Sequence, residues 1–562
     1  MRPSRKARQP RLERPLRPAK RCRLWALVIV FDLTVPLAAD APVEAGSTKS
    51  ATGKDRLADE ISAILARKEF ATSSFGIVVA RLRSGRVLYQ HNPGKLFAPA
   101  STAKLVSCAG ALAALGKDHR LVTRVVSKDP PQSDTVRGDL TLVAAGDPNL
   151  SQRVRKHAAP ALPEELPFTD RDHSYCGLSD GSVVPGDPLR VLVDIVAQLR
   201  TAGVERVQGD VVVDDGLFQE NEDSFVGEFS AACINDNLVD VFVAPGNTVD
   251  APARVRWQPH SATVRINSRA TTVAPGTQNL LWLEPGDGPT TFKLRGTIAL
   301  DSEEVLRTTP IKQPALVAAR YLKEALERGG VVVEGTAATQ RRGPAHYKNF
   351  TTLASHTSAP LGAALRVILK TSQNLHATML PVLIGALRGE RGDRYAGFRV
   401  IASHLQEMGV EPSQAVFTSG SGGGREDHAS ARWLVGLLRA LAERDDFPTL
   451  LDALPVGGVD GTLAAHFRAA DLVGRVRAKT GTLLFRSALD STWVYVSKAL
   501  AGYIGPSEIE PSDSWRNDHD DKLVFAILIH GTRARQRSEA TAALFAAQED
   551  IVRAVLRHPP NN

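Results

Sequence analysis

Three short motifs hold the side chains best suited to work together chemically. In the first, Ser101-Thr102-Ala103-Lys104, a serine and a lysine stand three apart in the apolar stretch APASTAKLVSCAGALAALG. Helical spacing puts i and i+3 on one face, so the Lys104 amine can approach the Ser101 hydroxyl. A serine hydroxyl is a weak nucleophile until a neighbouring base takes its proton. A lysine can be that base when apolar burial or a nearby cation lowers its pKa. The second motif, Ser372-Gln373-Asn374, offers a hydroxyl and an amide that can relay a proton to a leaving group and hold a carbonyl. The third, RAKTGTL, places Lys479, Thr480, Gly481 and Thr482 in a strand. Gly481 there marks close approach by a ligand or another backbone. Lys479 and the two threonine hydroxyls can bind a carboxylate, and an edge N–H can steady an oxyanion, worth about 3–4 kcal/mol for one good donor. Each motif alone has a plain structural reading: a helix-capping serine with a solvated lysine, capping by Ser and Asn, and a twisted strand with an exposed lysine.

The surrounding pattern supplies an element for each. Pro99 precedes a helix that runs to Leu115 and stops at Gly116. Upstream, LADEISAILARKE reads as a helix, and FGIVVARLRSGRVLYQHNP as two strands joined at Ser84-Gly85. From about 120 to 310 short Val- and Thr-rich strands recur, with one helix, PLRVLVDIVAQLRTAG. This stretch reads as a β-rich insertion, and residues 151–190 within it as surface loops. Helices return with PALVAARYLKEALERGG, LGAALRVILKTSQNLHATMLPVLIGAL and ASARWLVGLLRALAERD. SGSGGG at 419–424 must be a loop. The end reads as strand, strand, helix.

Composition narrows the function classes. The formal charge is +8 over 562 residues, but residues 1–41 carry ten Lys and Arg against Glu13, Asp32 and Asp40. The rest of the chain is close to neutral, so no nucleic-acid groove is implied. That leader has a basic stretch, the apolar run LWALVIVF and small residues near Ala39 and Ala41. It reads as a signal peptide, with an uncleaved anchor as the minor reading, and implies export to the periplasm or cell envelope. Cys22 would leave with it, and Cys108, Cys176 and Cys233 choose no pair. No spacing asks for a metal or another cofactor.

Taken in order, the motifs are those of serine β-lactamases and penicillin-binding proteins. With AAGDPNL (144–150), GDVVVDDGLF (209–218), TSQNLHATML and LPVGGVDGTL (454–463), the chain resembles the D-alanyl-D-alanine carboxypeptidase/endopeptidase family S13, the class C low-molecular-mass penicillin-binding proteins. The resemblance runs from about 57 to 555. It implies a multidomain α/β chain: a transpeptidase-like domain, an antiparallel sheet with helices, split around inserted β-rich domains. The expected divisions are 1–41 signal peptide, 42–118 first half, 119–311 insertion and 312–562 second half. The resemblance also implies that Ser101 attacks the D-Ala-D-Ala bond of peptidoglycan stem peptides and forms an acyl-enzyme, and that β-lactams block it covalently. Lys104 would be the base, Ser372 the proton relay and Asn374 a substrate hold. Lys479, Thr480 and Thr482 would bind the terminal carboxylate, and the N–H groups of Ser101 and Thr482 would form the oxyanion hole. Three departures stand out: Gln373 in the middle of S-x-N, Ser419 where the family carries an acid, and about eleven residues, Asp490–Leu500, that look inserted after the K-T-G strand. The inserted residues would lengthen a turn, cover the cleft or shift the strand. A β-lactamase shares the motifs, but the long insertion favours a peptidase. Gly177-Leu178-Ser179-Asp180-Gly181 fits a nucleophile elbow without the strand and helix it needs. A catalytically silent wall-binding or scaffold protein is the alternative from another class. Oligomeric state is left open.

Overall fold

The computed structural model describes residues 53–151, 183–505 and 522–558. The expected signal peptide, the 177–181 elbow, Cys22 and Cys176 lie outside the described residues. Helices α1 (Gly53–Leu65), α2 (Lys104–Leu115), α3 (Arg190–Thr201), α4 (Pro314–Arg328), α5 (Leu361–Thr371), α6 (Asn374–Arg388), α7 (Arg394–Glu407), α8 (Ala431–Ala442), α9 (Phe447–Ala453) and α10 (Arg537–Arg557) follow in chain order. No helix among the described residues is long and apolar enough to cross a membrane.

The site rests on one antiparallel sheet made from both ends of the chain. Its strands are β1 (Ser74–Arg81), β2 (Val87–His91), β3 (Val476–Arg486), β4 (Trp493–Ile504), β5 (Leu523–His530) and β6 (Thr532–Ala534). The spatial order is β3-β4-β5-β1-β2, with β6 beside the start of β4. Runs such as SFGIVVAR and LVFAILIH are apolar at nearly every position because both faces of the sheet are covered. Ile77, Val79, Phe525 and Ile527 face one core with Leu544, Ile551 and Val555 of α10. Val78, Ala80, Ala526 and Leu528 face the other with residues of α2, α5, α6 and α8. Successive strand residues point to opposite faces, and each face finds its own helical layer.

A third core belongs to the insertion. A mixed sheet there runs 337–340, 211–214, 140–143, 122–127 and 351–357 in spatial order. Residues of α3 and α4 share its core: Leu192, Ile195, Val317 and Leu322 pack with Val211, Val213 and Leu142. Two further three-stranded sheets lie between 238 and 310. The pairings differ from the expected division at 311, which falls inside this unit: Thr339 pairs with Val213, and Ser355 with Arg124. Strand pairing in this sheet therefore reaches residue 357, and α4 packs on it as a second helix. The late strands are short and half-exposed, so their side chains carry little apolar signal.

Candidate active site

The first motif sits on a strained corner. A one-turn 3₁₀ segment, Ala100–Ala103, leads directly into α2. Ala100 takes φ +46°, a conformation that costs a non-glycine residue energy and needs support from its surroundings. The support comes from tight backbone packing on both sides. A Cβ on Gly481 would lie 2.6 Å from the Pro99 carbonyl oxygen, and one on Gly422 would lie 1.9 Å from that of Ala100. Ser497 Oγ donates to the Ala98 carbonyl at 2.7 Å, and the Ala98 N–H donates to His530 Nε2 at 2.8 Å. The close approach that Gly481 signalled is thus to the backbone ahead of Ser101.

Lys104 is fully buried, with Nζ 2.9 Å from Ser101 Oγ, 2.8 Å from Asn374 Oδ1 and 2.7 Å from the Ser421 carbonyl. Two of these three neighbours can only accept. A neutral amine gives its two protons to them and leaves its lone pair facing the Ser101 hydroxyl. Burial holds Lys104 well below the ordinary lysine range, and the charge of Lys479 pushes the same way, against weaker opposition from Cys108 and Asp427. The Gly-rich loop that supplies the Ser421 carbonyl is tied down by Asp427, which accepts from the Thr418 N–H at 2.6 Å and the Ser419 N–H at 3.2 Å. Burial raises Asp427 to about 6 despite those bonds. The loop thus keeps a carboxylate, eight residues beyond Ser419.

Ser372 caps α5 in the left-handed region, φ +62°, so its side chain turns out of the helix toward β3. Lys479 Nζ donates to Ser372 Oγ at 2.9 Å and to the Thr480 carbonyl at 2.8 Å. Burial brings Lys479 down to about 7. Gln373 caps α6 by accepting from the Leu375 N–H at 3.0 Å, which gives the odd middle residue of this motif a structural role. The α5 end is anchored by Lys370, which bonds Asp460 at 2.6 Å. Thr462, two residues past Asp460, meets Thr480 hydroxyl to hydroxyl at 2.8 Å. The LPVGGVDGTL segment is therefore a brace between α5 and β3.

β3 is an edge strand, and its register decides which amides look outward. Val476 O accepts from Gly457 N–H, and Ala478 N–H donates to Pro455 O. Alternate residues on an antiparallel edge share one direction, so the amides of Thr480 and Thr482 continue this outward series. A cleft of about 450 Å³ opens there, lined by Ser101, Ser372, Asn374, Thr480, Thr482 and Lys498. All eight motif residues, Ser101, Lys104, Ser372, Asn374, Lys479, Thr480, Gly481 and Thr482, come together around it or directly behind it. The residues at 490–500, which look inserted in the sequence, lead from the turn into β4, and β4 pairs with β3 from Trp493 to Ile504. A register shift falls between Leu483 and Leu484, beyond the motif, and Lys479 to Thr482 stay in continuous register. Tyr495 and Lys498 of this segment line the cleft, as does Phe225 from the insertion. No motif signalled these three. Cys233, Asp236 and His376 also gather within 4.8 Å of one another, where sequence spacing showed no metal-ligand cluster. There His376 Nε2 and Asp236 Oδ1 are bonded to each other at 2.7 Å, tying α6 to the insertion.

A helix-borne Ser and Lys, a Ser-x-Asn turn and a K-T-G edge strand, on an antiparallel sheet between helical layers, define the penicillin-binding and β-lactamase-like serine hydrolase fold. Residues 57–550 match the D-Ala-D-Ala carboxypeptidase 3 (S13) family, and the chain belongs to that family. It is 29% identical over 520 residues to a D-alanyl-D-alanine carboxypeptidase of Actinomadura sp. strain R39, covering 88% of this chain and 89% of that one. It is 22% identical to the D-alanyl-D-alanine carboxypeptidase DacB of Haemophilus influenzae, covering 73% and 80%. The crystal structure of penicillin binding protein 4 (dacB) from Haemophilus influenzae aligns with a TM-score of 0.66 at 18% identity, over 88% of this chain and 99% of that one.

Proposed function

We propose that this enzyme is a serine D-Ala-D-Ala carboxypeptidase that works on peptidoglycan stem peptides through an acyl-enzyme, and that β-lactams acylate the same serine. The observation that carries the reading is the dry Lys104 amine, 2.9 Å from Ser101 Oγ with its other two neighbours both carbonyl oxygens. Lys104 takes the Ser101 proton as Oγ bonds to the substrate carbonyl carbon. The outward Thr482 N–H and that of Ser101 receive the oxyanion. Ser372 passes its proton to the departing amine as the peptide bond breaks and takes one in turn from Lys479, which donates to its Oγ. Asn374 holds the substrate amide as well as Lys104. Water then attacks the ester, its proton returning through Ser372 to Lys479 while Lys104 gives its proton back to Ser101 Oγ, and the shortened peptide leaves. A β-lactam opens onto Ser101 in the same way, but its leaving nitrogen stays tethered and water is slow to follow.

On this reading the hydrolase domain comprises residues up to about 118 and from about 358, with the insertion between them. The basic and apolar leader fits export to the periplasm or cell envelope, where the substrate lies. The test is labelling of the purified mature protein by a fluorescent penicillin beside Ser101→Ala. Stable labelling of the wild type alone is expected. A folded wild type that takes no label, or a labelled Ser101→Ala, refutes the assignment and favours a silent wall-binding protein.

A further inference from the structure

Lys498 lies on β4 directly across from Thr482 of the motif strand. Cross-strand partners project to the same face, and Lys498 Nζ donates to Thr482 Oγ1 at 3.1 Å. The same ammonium rests 3.4 Å from the centre of the Phe545 ring on α10. The side chain is 2% exposed and forms part of the cleft wall. Among the described residues its partners are this hydroxyl and this ring, with no carboxylate. An ammonium buried without a counterion is costly; burial first, and the charge of Lys479 second, bring Lys498 down to about 7. His466, stacked on the same Phe545 ring, is depressed to about 4 and stays neutral, so it adds no rival cation at neutral pH.

The reaction dictates which anion can reach this corner. The scissile nitrogen is joined through a single Cα to the carboxylate of the leaving residue, whose carbon therefore lies about 2.5 Å from that nitrogen. With the acyl carbonyl over Ser101 and the Thr482 N–H, a free carboxylate must settle among the next groups along β3. Those are the hydroxyls of Thr480 and Thr482, and the second of these is already held by Lys498.

We propose that Lys498 is the counterion for the α-carboxylate of the leaving residue, forming with Thr480 and Thr482 a subsite that selects peptides ending in a free D-amino acid carboxylate and rejects amidated ends. This rests on the serine carboxypeptidase reading above. Lys498 makes and breaks no bond: it pulls the carboxylate into place, neutralises it out of water, and returns to its Thr482 and Phe545 contacts when the amino acid departs. A bound carboxylate also relieves the burial cost of the lysine, so binding and charging favour each other. A residue of the segment that looked inserted beside the site thus supplies a cation on this side of the cleft.

The experiment compares kcat/KM for an N-acetylated tripeptide ending in D-Ala-D-Ala with that for its C-terminal amide, in wild type, Lys498→Met and Lys498→Arg. A carboxylate-free thioester of N-acyl-D-Ala serves as a third substrate. The wild type should prefer the acid strongly, and Lys498→Met should lower kcat/KM for the acid by about 10- to 100-fold, chiefly through KM. The amide has no charge to lose and should fall far less, so the acid-to-amide ratio collapses; Lys498→Arg should restore most of it. A ratio in Lys498→Met equal to that of the wild type overturns the proposal. So does a wild type that does not discriminate acid from amide, a result that needs no variant to fold. The thioester separates the two readings: turnover by wild type but not by Ser101→Ala upholds the hydrolase assignment whatever becomes of Lys498. Its absence removes both.

Discussion

Replacing Asn374 by Asp changes one atom's chemistry and almost nothing of its shape, yet it should slow acylation by at least about 100-fold at neutral pH. Asn374 Oδ1 lies 2.8 Å from Lys104 Nζ. A full negative charge there, at an effective dielectric constant of about 20, attracts the ammonium by roughly 6 kcal/mol, which corresponds to about four pK units. Even half of that, about two units, lowers the neutral fraction of Lys104 about 100-fold at any pH below both values. Burial depresses Lys104 in the wild type, so its acylation rate should climb with pH well before the ordinary lysine range near 10.4. Asn374→Asp should carry the same climb to higher pH, with rates converging at the alkaline end. The assay is the second-order rate of acylation by a fluorescent penicillin from about pH 5 to about pH 10, with Asn374→Ala alongside. Ala removes the hydrogen bond without adding charge, so it should slow the reaction without raising the limb. The reasoning is refuted by an Asn374→Asp profile parallel to that of wild type and lower by one constant factor. Asn374 would then act through the substrate alone, and Lys104 would not be the group whose neutral form limits the rate.

Two further outcomes follow from the burial of the site. Lys479 and Lys498 both sit at about 7 in the fold because they are buried, whereas each titrates near 10.4 in an unfolded chain. Between about pH 7 and about pH 10 the unfolded chain binds more protons, so stability rises with pH by up to about 1.4 kcal/mol per unit for each lysine. Lys104 acts in the same sense. Urea midpoints should therefore increase from about pH 7 to about pH 9, and more steeply in wild type than in Lys479→Met; a steeper rise in the variant contradicts the assignment. Gly481→Ala puts a methyl group 2.6 Å from the Pro99 carbonyl and 3.1 Å from Ala499 Cβ. The corner bearing Ser101 must move off β3, and a displacement of about 1 Å should cost about 100-fold in acylation. Labelling by penicillin at the wild-type rate would show that the corner does not depend on this contact.

The chemistry was more legible than the architecture that holds it. Ser101 and Lys104 are local: three residues of helix place them together, and the sequence shows both. Ser372, Asn374 and Lys479 each carry a recognisable neighbourhood, though their meeting with Lys104 is tertiary. Gly481 signalled a close approach without naming Pro99 as the partner. The Ser421 carbonyl left no trace, because a backbone oxygen in a glycine-rich loop looks like any other. α7 escaped notice for a related reason. The chain leading into it, RGERGDRYAG, is crowded with Arg and Gly, and only Ala396, Gly397, Ile401 and Leu405 of the helix are fully buried. Gly397 is there because a Cβ would fall 1.7 Å from the Pro381 carbonyl of α6, a contact that no single-segment pattern announces.

The insertion and the hairpin extension show where pattern reading fails for physical reasons. Strand pairing is non-local: Thr351–Thr357 joins Val122–Ser127 across more than two hundred residues, so a boundary drawn from changing texture separates strands that pair. At the β3–β4 hairpin the misleading feature was length. Added residues beside an active-site strand suggest disruption, since a slip of one residue reverses every side chain's face. The register shift lies between Leu483 and Leu484, beyond Thr482, so the motif itself keeps its register. The strand facing the motif keeps its pairing of Thr480 with Leu500 and Thr482 with Lys498. A hairpin can grow at its tip without disturbing its base, because each cross-strand pair depends on its neighbours and not on the turn's distance. Trp493 and Val494 lie alongside Ala534 and Arg533, so the start of β4 is paired on both sides, with β3 and with β6. An extension built in this way can place new side chains on the cleft wall while leaving Ser101, Lys104 and the K-T-G edge where the chemistry needs them.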